Sequence, residues 1–127
     1  MKWTVTKIRK AIGGKLIGKM YMKEIVCKTI LILPPEMIAY ICSNIWFISS
    51  PDDAWALTFK GSDINTKSLI FLSDELLNQY EEQIKYTILH EIGHVILKHK
   101  NSIGCQQTET EIKQQEIEAD NFAKNYA

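Results

Sequence analysis

Cysteine is scarce and poorly placed for cross-linking: Cys27, Cys42 and Cys105 are an odd number, and no two of them have C-x-x-C spacing. That argues against both a disulfide framework and a thiolate zinc cluster, and leaves reduced, intracellular thiols as the simpler reading. A membrane-spanning run is missing as well. The greasiest stretch, "IVCKTILILPPEMIAYICSNIWFISS", is cut by Lys28, Pro34, Pro35 and Glu36, so no uninterrupted apolar segment is long enough to cross a bilayer. No secretory signal is present, because lysines interrupt the apolar stretch after the basic start and no small-residue cleavage site follows. These absences predict a cytoplasmic chain with no membrane partner. Internal repeats and low-complexity tracts are lacking too. So are a helix-turn-helix and any pattern of base-stacking aromatics, which disfavours nucleic acid as a partner.

Net charge is also absent, but only in the sum: 15 basic and 15 acidic residues cancel. Lys2, Lys7, Arg9, Lys10, Lys15, Lys19, Lys23 and Lys28 stand against Glu24 alone in residues 1–33, and the rest of the chain is correspondingly acidic. The expectation is that the basic segment docks on the acidic remainder of its own chain. The 127 residues, 46% of them hydrophobic and 24% charged, suit one globular domain spanning 1–127.

Along the chain, Ile8, Ile12, Leu16 and Met20 have helix-compatible spacing over residues 5–26, weakened by Gly13, Gly14 and Gly18. "KTILIL" reads as a short strand and "PPEMIAYICSN" as a helix opened by proline. "IWFIS", "WALTFK" and "SLIFLS" are rich in β-branched and aromatic residues and are separated by turn formers, a pattern that predicts a small antiparallel meander. After Ser73 the apolar period lengthens to that of a helix, expected from about Glu81 to His99. "KNSIGCQQT" should reverse the chain, and a last helix should run from Glu109 to Tyr126. The fold class expected is α+β: an antiparallel sheet of three to four strands packed on two C-terminal helices.

Within the first of those helices lies "HEIGH", residues 90–94. Positions i and i+4 differ by about 40° around a helix axis, so His90 and His94 point the same way one turn apart and can share one ion. Glu91 falls about 60° to the side of His94, better placed to reach a water on that ion than to bind it. Zinc lowers the pKa of such a water to about 7, so a neighbouring carboxylate can take its proton. Glu91 is the expected general base. The plainer alternative is two core histidines bonded to backbone and a solvated helix glutamate.

A catalytic zinc site needs three protein ligands and an open position. A third histidine six residues after His94 is ruled out by Lys100, with Leu97 in place of the glycine that arrangement requires. His99 lies about 140° around the helix from His94, so it reads as a cap or surface residue. Cys105 has no supporting motif. In the last helix, a face containing Ile112, Ala119, Ala123 and Tyr126 would also contain Glu116, with Asp120 one turn later and Glu118 on the solvent side. Glu116 is therefore assigned as third ligand to one Zn2+ per chain and Asp120 as the partner of a ligating imidazole. Glu109 is the second choice for the ligand. Tyr80, Tyr86 and Tyr126 are candidates to steady an oxyanion, none of them singled out.

"HEIGH" followed by "EIEADNFA" resembles the gluzincin metallopeptidases, in which an HExxH helix is completed by a glutamate from a later helix. The pattern is similar to the ImmA/IrrE-like group, through His90, Glu91, His94, Glu116, Ala119, Asp120 and Phe122, and the short chain is similar to the minigluzincins. The resemblance implies a zinc-dependent endopeptidase with a zincin-like domain, acting on a protein or peptide such as a helix-turn-helix repressor. It also implies that "SLIFLS", through Ile70, Phe71 and Leu72, borders the cleft as an edge strand and pairs with an extended substrate. In that group the glutamate helix continues into a Leu-Met-Pro segment, where this sequence reads "AKNYA". The departure motivates the alternative of a latent or non-catalytic zinc-binding sensor that acts through a partner protein. A homo-oligomer stays open.

Overall fold

The computed structural model of the chain describes residues 2–50, 56–59, 68–98 and 108–127. The expected turns over 51–54 and 61–67, the loop at 101–107, His99 and Cys105 lie outside them.

The first helical run is broken where its glycines fall. Helix α1 (Val5–Ile12) is capped by Thr4, whose hydroxyl accepts from the Lys7 amide at 3.1 Å, and it ends at Gly13, which takes φ 57°. A left-handed glycine is a common way to end a helix. A short 3₁₀ turn leads into strand β1 (Leu16–Ile17), so Leu16 reaches the core from a strand and not from a helix. Helix α2 (Met20–Leu31) then absorbs most of "KTILIL", correcting the strand expected there. Ile25, Val26 and Ile30 are wholly buried, and the Thr29 hydroxyl donates back to the Ile25 carbonyl at 2.7 Å, so tertiary burial overrides local β preference. The α2 helix stops just before Pro34, and Pro35 opens α3 (Pro35–Asn44) as expected.

The strands are β2 (Ile45–Ser50), β3 (Ala56–Phe59) and β4 (Ser68–Ser73), and the sheet order is β1-β2-β4-β3. This overturns the antiparallel sheet. β1 pairs parallel with β2, and β2 pairs parallel with β4 in the register Phe47↔Ile70; β3 alone runs antiparallel, on the far side of β4. The local turn formers mark where strands end but do not choose their partners. The signal for the true arrangement was the near-continuous apolar character of "IWFI" and "LIFL", which suits interior strands of a parallel sheet better than an alternating meander. Interior position also corrects the edge assignment of Ile70, Phe71 and Leu72: β4 is hydrogen-bonded on both sides there, and among the described residues the strands paired on one side only are β1 and β3.

Leu16, Ile45, Phe47, Ile70 and Leu72 are the sheet's contribution to one core cluster that also takes in Met22 and Ile30 of α2 and Ile84, Ile88 and Ile92 of helix α5 (Glu81–Ile96). A single turn of helix, α4 (Asp74–Leu77), capped by Ser73, joins β4 to α5. α5 ends at Ile96, short of the expected His99, with Lys98 at φ 57°. Helix α6 has the expected bounds, Glu109–Tyr126, and is capped by Thr108, whose hydroxyl accepts from the Glu111 amide. None of the described helices is long and apolar enough to cross a membrane.

Two features bear on the charges and thiols. Among the described residues no basic side chain of residues 2–28 forms an ion pair with an acidic one; Lys7 donates to the Lys2 carbonyl and Arg9 contacts the Met20 sulfur. Among the described residues, intramolecular docking of the basic segment therefore involves no ion pair. Cys27 and Cys42 are buried free thiols, and burial, then Cys42, pushes Cys27 up to about 11, where it is a poor nucleophile at neutral pH.

α5 and α6 form the most extensive helix–helix contact, and it is tight at one point. A Cβ added at Gly93 would lie 3.1 Å from Cβ, Cγ and Cδ1 of Phe122. The glycine inside "HEIGH" thus lets α6 approach. Gly93→Val should force the helices apart and destabilise the protein by about 1–3 kcal/mol, as overpacking does. Paired with Phe122→Ala, the loss in urea unfolding should be smaller than the sum of the single variants. Phe47→Ala, in the centre of the sheet, should cost about 3–5 kcal/mol by the same measurement.

Candidate metal centre

The rise of α5 puts His90 and His94 one turn apart, with ring centroids 4.8 Å apart and planes at 81°. Their side chains are 15% and 6% exposed. Two i, i+4 pairs then face each other across the helix contact. Glu116 Oε2 lies 2.7 Å from His90 Nε2 and 3.5 Å from His94 Nε2, while Asp120 Oδ1 lies 2.9 Å from His90 Nδ1. One atom from each of His90, His94 and Glu116 lies within 4.8 Å of the others, the one such group of three among the described residues.

The inward face of α6 differs in detail from the expected one. Ala119 and Ala123 are fully buried and Phe122 nearly so, but Ile112 is 46% exposed, and Glu116 and Asp120 sit at the border with 52% and 46% of their side chains exposed. Burial is therefore not what demands a partner for Glu116; proximity to two imidazoles is. Glu118 is exposed, as expected, and accepts from Gln114. Glu109 is exposed in the first turn and outside the cluster. Glu91, one residue past His90, is 8% exposed and is not among the converging donors.

Ile70 and Leu72 are wholly buried in the core and Phe71 is half-buried, so β4 supports the site from beneath. α5 packs against both β4 and β3. Of the tyrosines, Tyr80 is 87% exposed at the start of α5, and Tyr126 packs on Phe122 with ring centroids 5.1 Å apart. The Tyr86 hydroxyl donates to Asp120 Oδ1 at 3.0 Å. This bond was not legible from the sequence, although Tyr86 stands one turn before His90. Gly93 was also missed; a glycine inside a strongly helical run usually marks a packing constraint, and that signal was available.

Two imidazoles and one carboxylate are the donor set of a known class of catalytic zinc site. With ligand bonds of about 2.0–2.2 Å, tetrahedral donors end roughly 3.4 Å apart. The His94–Glu116 separation already matches that, the His90–Glu116 contact is a hydrogen-bond distance that would open by under about 1 Å, and the two imidazole donors, within 4.8 Å of each other, would draw closer by a change of side-chain torsion. The residues fit the ion.

No curated protein and no solved structure matched the chain. A family model did, over residues 36–126, from the second residue of α3 through strands β2, β3 and β4 to the end of α6. That segment holds both halves of the donor cluster and exceeds half of the sequence, and on this evidence the chain belongs to the Peptidase U49 family.

Proposed function

We propose that this peptidase is a cytoplasmic, zinc-dependent endopeptidase of gluzincin type. The observation that carries the reading is the convergence of His90, His94 and Glu116 from two helices onto one point, beside a buried glutamate. The ImmA/IrrE-like resemblance rests on the motifs alone and adds an intracellular protein substrate, with a helix-turn-helix repressor as the class to try first.

Bound zinc would supply an acidified water and polarise the scissile carbonyl. The chain supplies the rest. His90, His94 and Glu116 would hold the ion; Asp120 accepts from His90 Nδ1 and so turns Nε2 toward Glu116. Glu91 takes a proton from the attacking water and passes it to the leaving amine. Strand β3, paired on one side only among the described residues and packed against α5, offers its other edge to an extended substrate backbone, in place of the edge first assigned to Ile70, Phe71 and Leu72.

Metal analysis and cleavage assays separate these roles. Glu91→Gln should retain stoichiometric zinc and lose about 10²–10⁴-fold in kcat/KM against a denatured-protein or repressor substrate. Cleavage at the wild-type rate by that variant would refute the base assignment. Glu116→Ala should lose the zinc; full retention would shift the third ligand to another carboxylate. Zinc binding by the wild type without cleavage of any substrate tried would favour the non-catalytic sensor.

A further inference from the structure

Asp120 does not face His90 alone. Its Oδ1 accepts two bonds, from His90 Nδ1 at 2.9 Å and from the Tyr86 hydroxyl at 3.0 Å. Both donors come from α5, one turn apart, while Asp120 comes from α6, one turn after Glu116. A carboxylate with 46% of its side chain exposed and a single protein partner would exchange that partner readily for water. A second donor fixed to the same helix as the first removes much of that freedom.

We infer that Tyr86 is a positioning residue for the metal centre: by holding Asp120 Oδ1 it fixes the ring orientation of His90 and keeps Nε2 directed at the ligand position. This rests on the metallopeptidase reading above. The hydroxyl is suited to the task. Burial, then the bond to Asp120 and its charge, push Tyr86 above its ordinary range, so the phenol stays protonated and donating at neutral pH. A phenol has one proton to donate, and here it is committed to Asp120, which removes Tyr86 from the candidates for steadying an oxyanion. The chain Tyr86–Asp120–His90 also ties three positions across the α5–α6 contact, so that the tightness set at Gly93 is felt at the ligand.

The test is Tyr86→Phe, which keeps the ring and removes only the donor. Zinc affinity, measured by competition with a chromophoric chelator, should fall about tenfold, at the low end of what loss of a partner behind a metal ligand usually causes. Thermal stability of the metal-free protein should change little. A second readout does not need the metal: the His90 Nδ1–H proton, followed by ¹H–¹⁵N NMR of the metal-free protein, should move and exchange faster with water in Tyr86→Phe, as it should in Asp120→Asn. Unchanged zinc affinity, or an unchanged His90 signal, overturns the inference. Failure of the wild type to bind zinc overturns the metal reading instead, and the NMR comparison then decides by itself whether Tyr86 positions His90.

Discussion

The approach of α6 to α5 is the constraint on which the site depends. Neither helix carries a complete donor set: α5 has two imidazoles facing one way, and α6 has two carboxylates on the border of its buried face. They become a site because Gly93 lets the Phe122 ring come within 3.1 Å of where a Cβ would stand. At that separation Glu116 reaches both histidines and Asp120 reaches the back of one of them. A wider separation would leave the same residues on two solvated helix faces, where carboxylates and imidazoles interact weakly.

The sheet serves this contact indirectly. β2 and β4 run parallel, Phe47, Ile70 and Leu72 are wholly buried, and α5 packs on β4 and β3 and also against α2. The first turns of α5 carry the solvent-facing polar pairs Glu81–Lys85 and Gln83–Thr87, Ile84, Ile88, Leu89 and Ile92 are buried, and His90 meets carboxylates of α6. Burial of α5 fixes where His94, 6% exposed, can point. Glu116 retains access to water. A rigid, buried half supplying imidazoles and a more open half supplying the closing carboxylate suits a centre that must hold an ion and still admit a substrate.

Polar order in the site is built from shared acceptors. Glu116 Oε2 lies near two imidazoles, and Asp120 Oδ1 receives one imidazole and one phenol. Such sharing couples the side chains, so that displacement of any one is felt by its neighbours. This local network contrasts with the scattered charges of residues 2–28, which make no ion pair with acidic side chains among the described residues.

The sequence by itself determined the two C-terminal helices, the i, i+4 spacing of His90 with His94 and of Glu116 with Asp120, and the proline that opens α3. These follow from helical periodicity and local backbone chemistry, which act over a few residues and can be read directly. The partners of the strands, the helical state of "KTILIL", the exposure of Ile112 and the tie from Tyr86 to Asp120 were decided only by the tertiary structure. Each depends on which distant surface a segment meets: burial energy shared among remote residues selects the strand partner and overrides local preference. The proposed metal site stands at the meeting of the two, with its residue types and spacing set locally and its closure set by the distance between two helices.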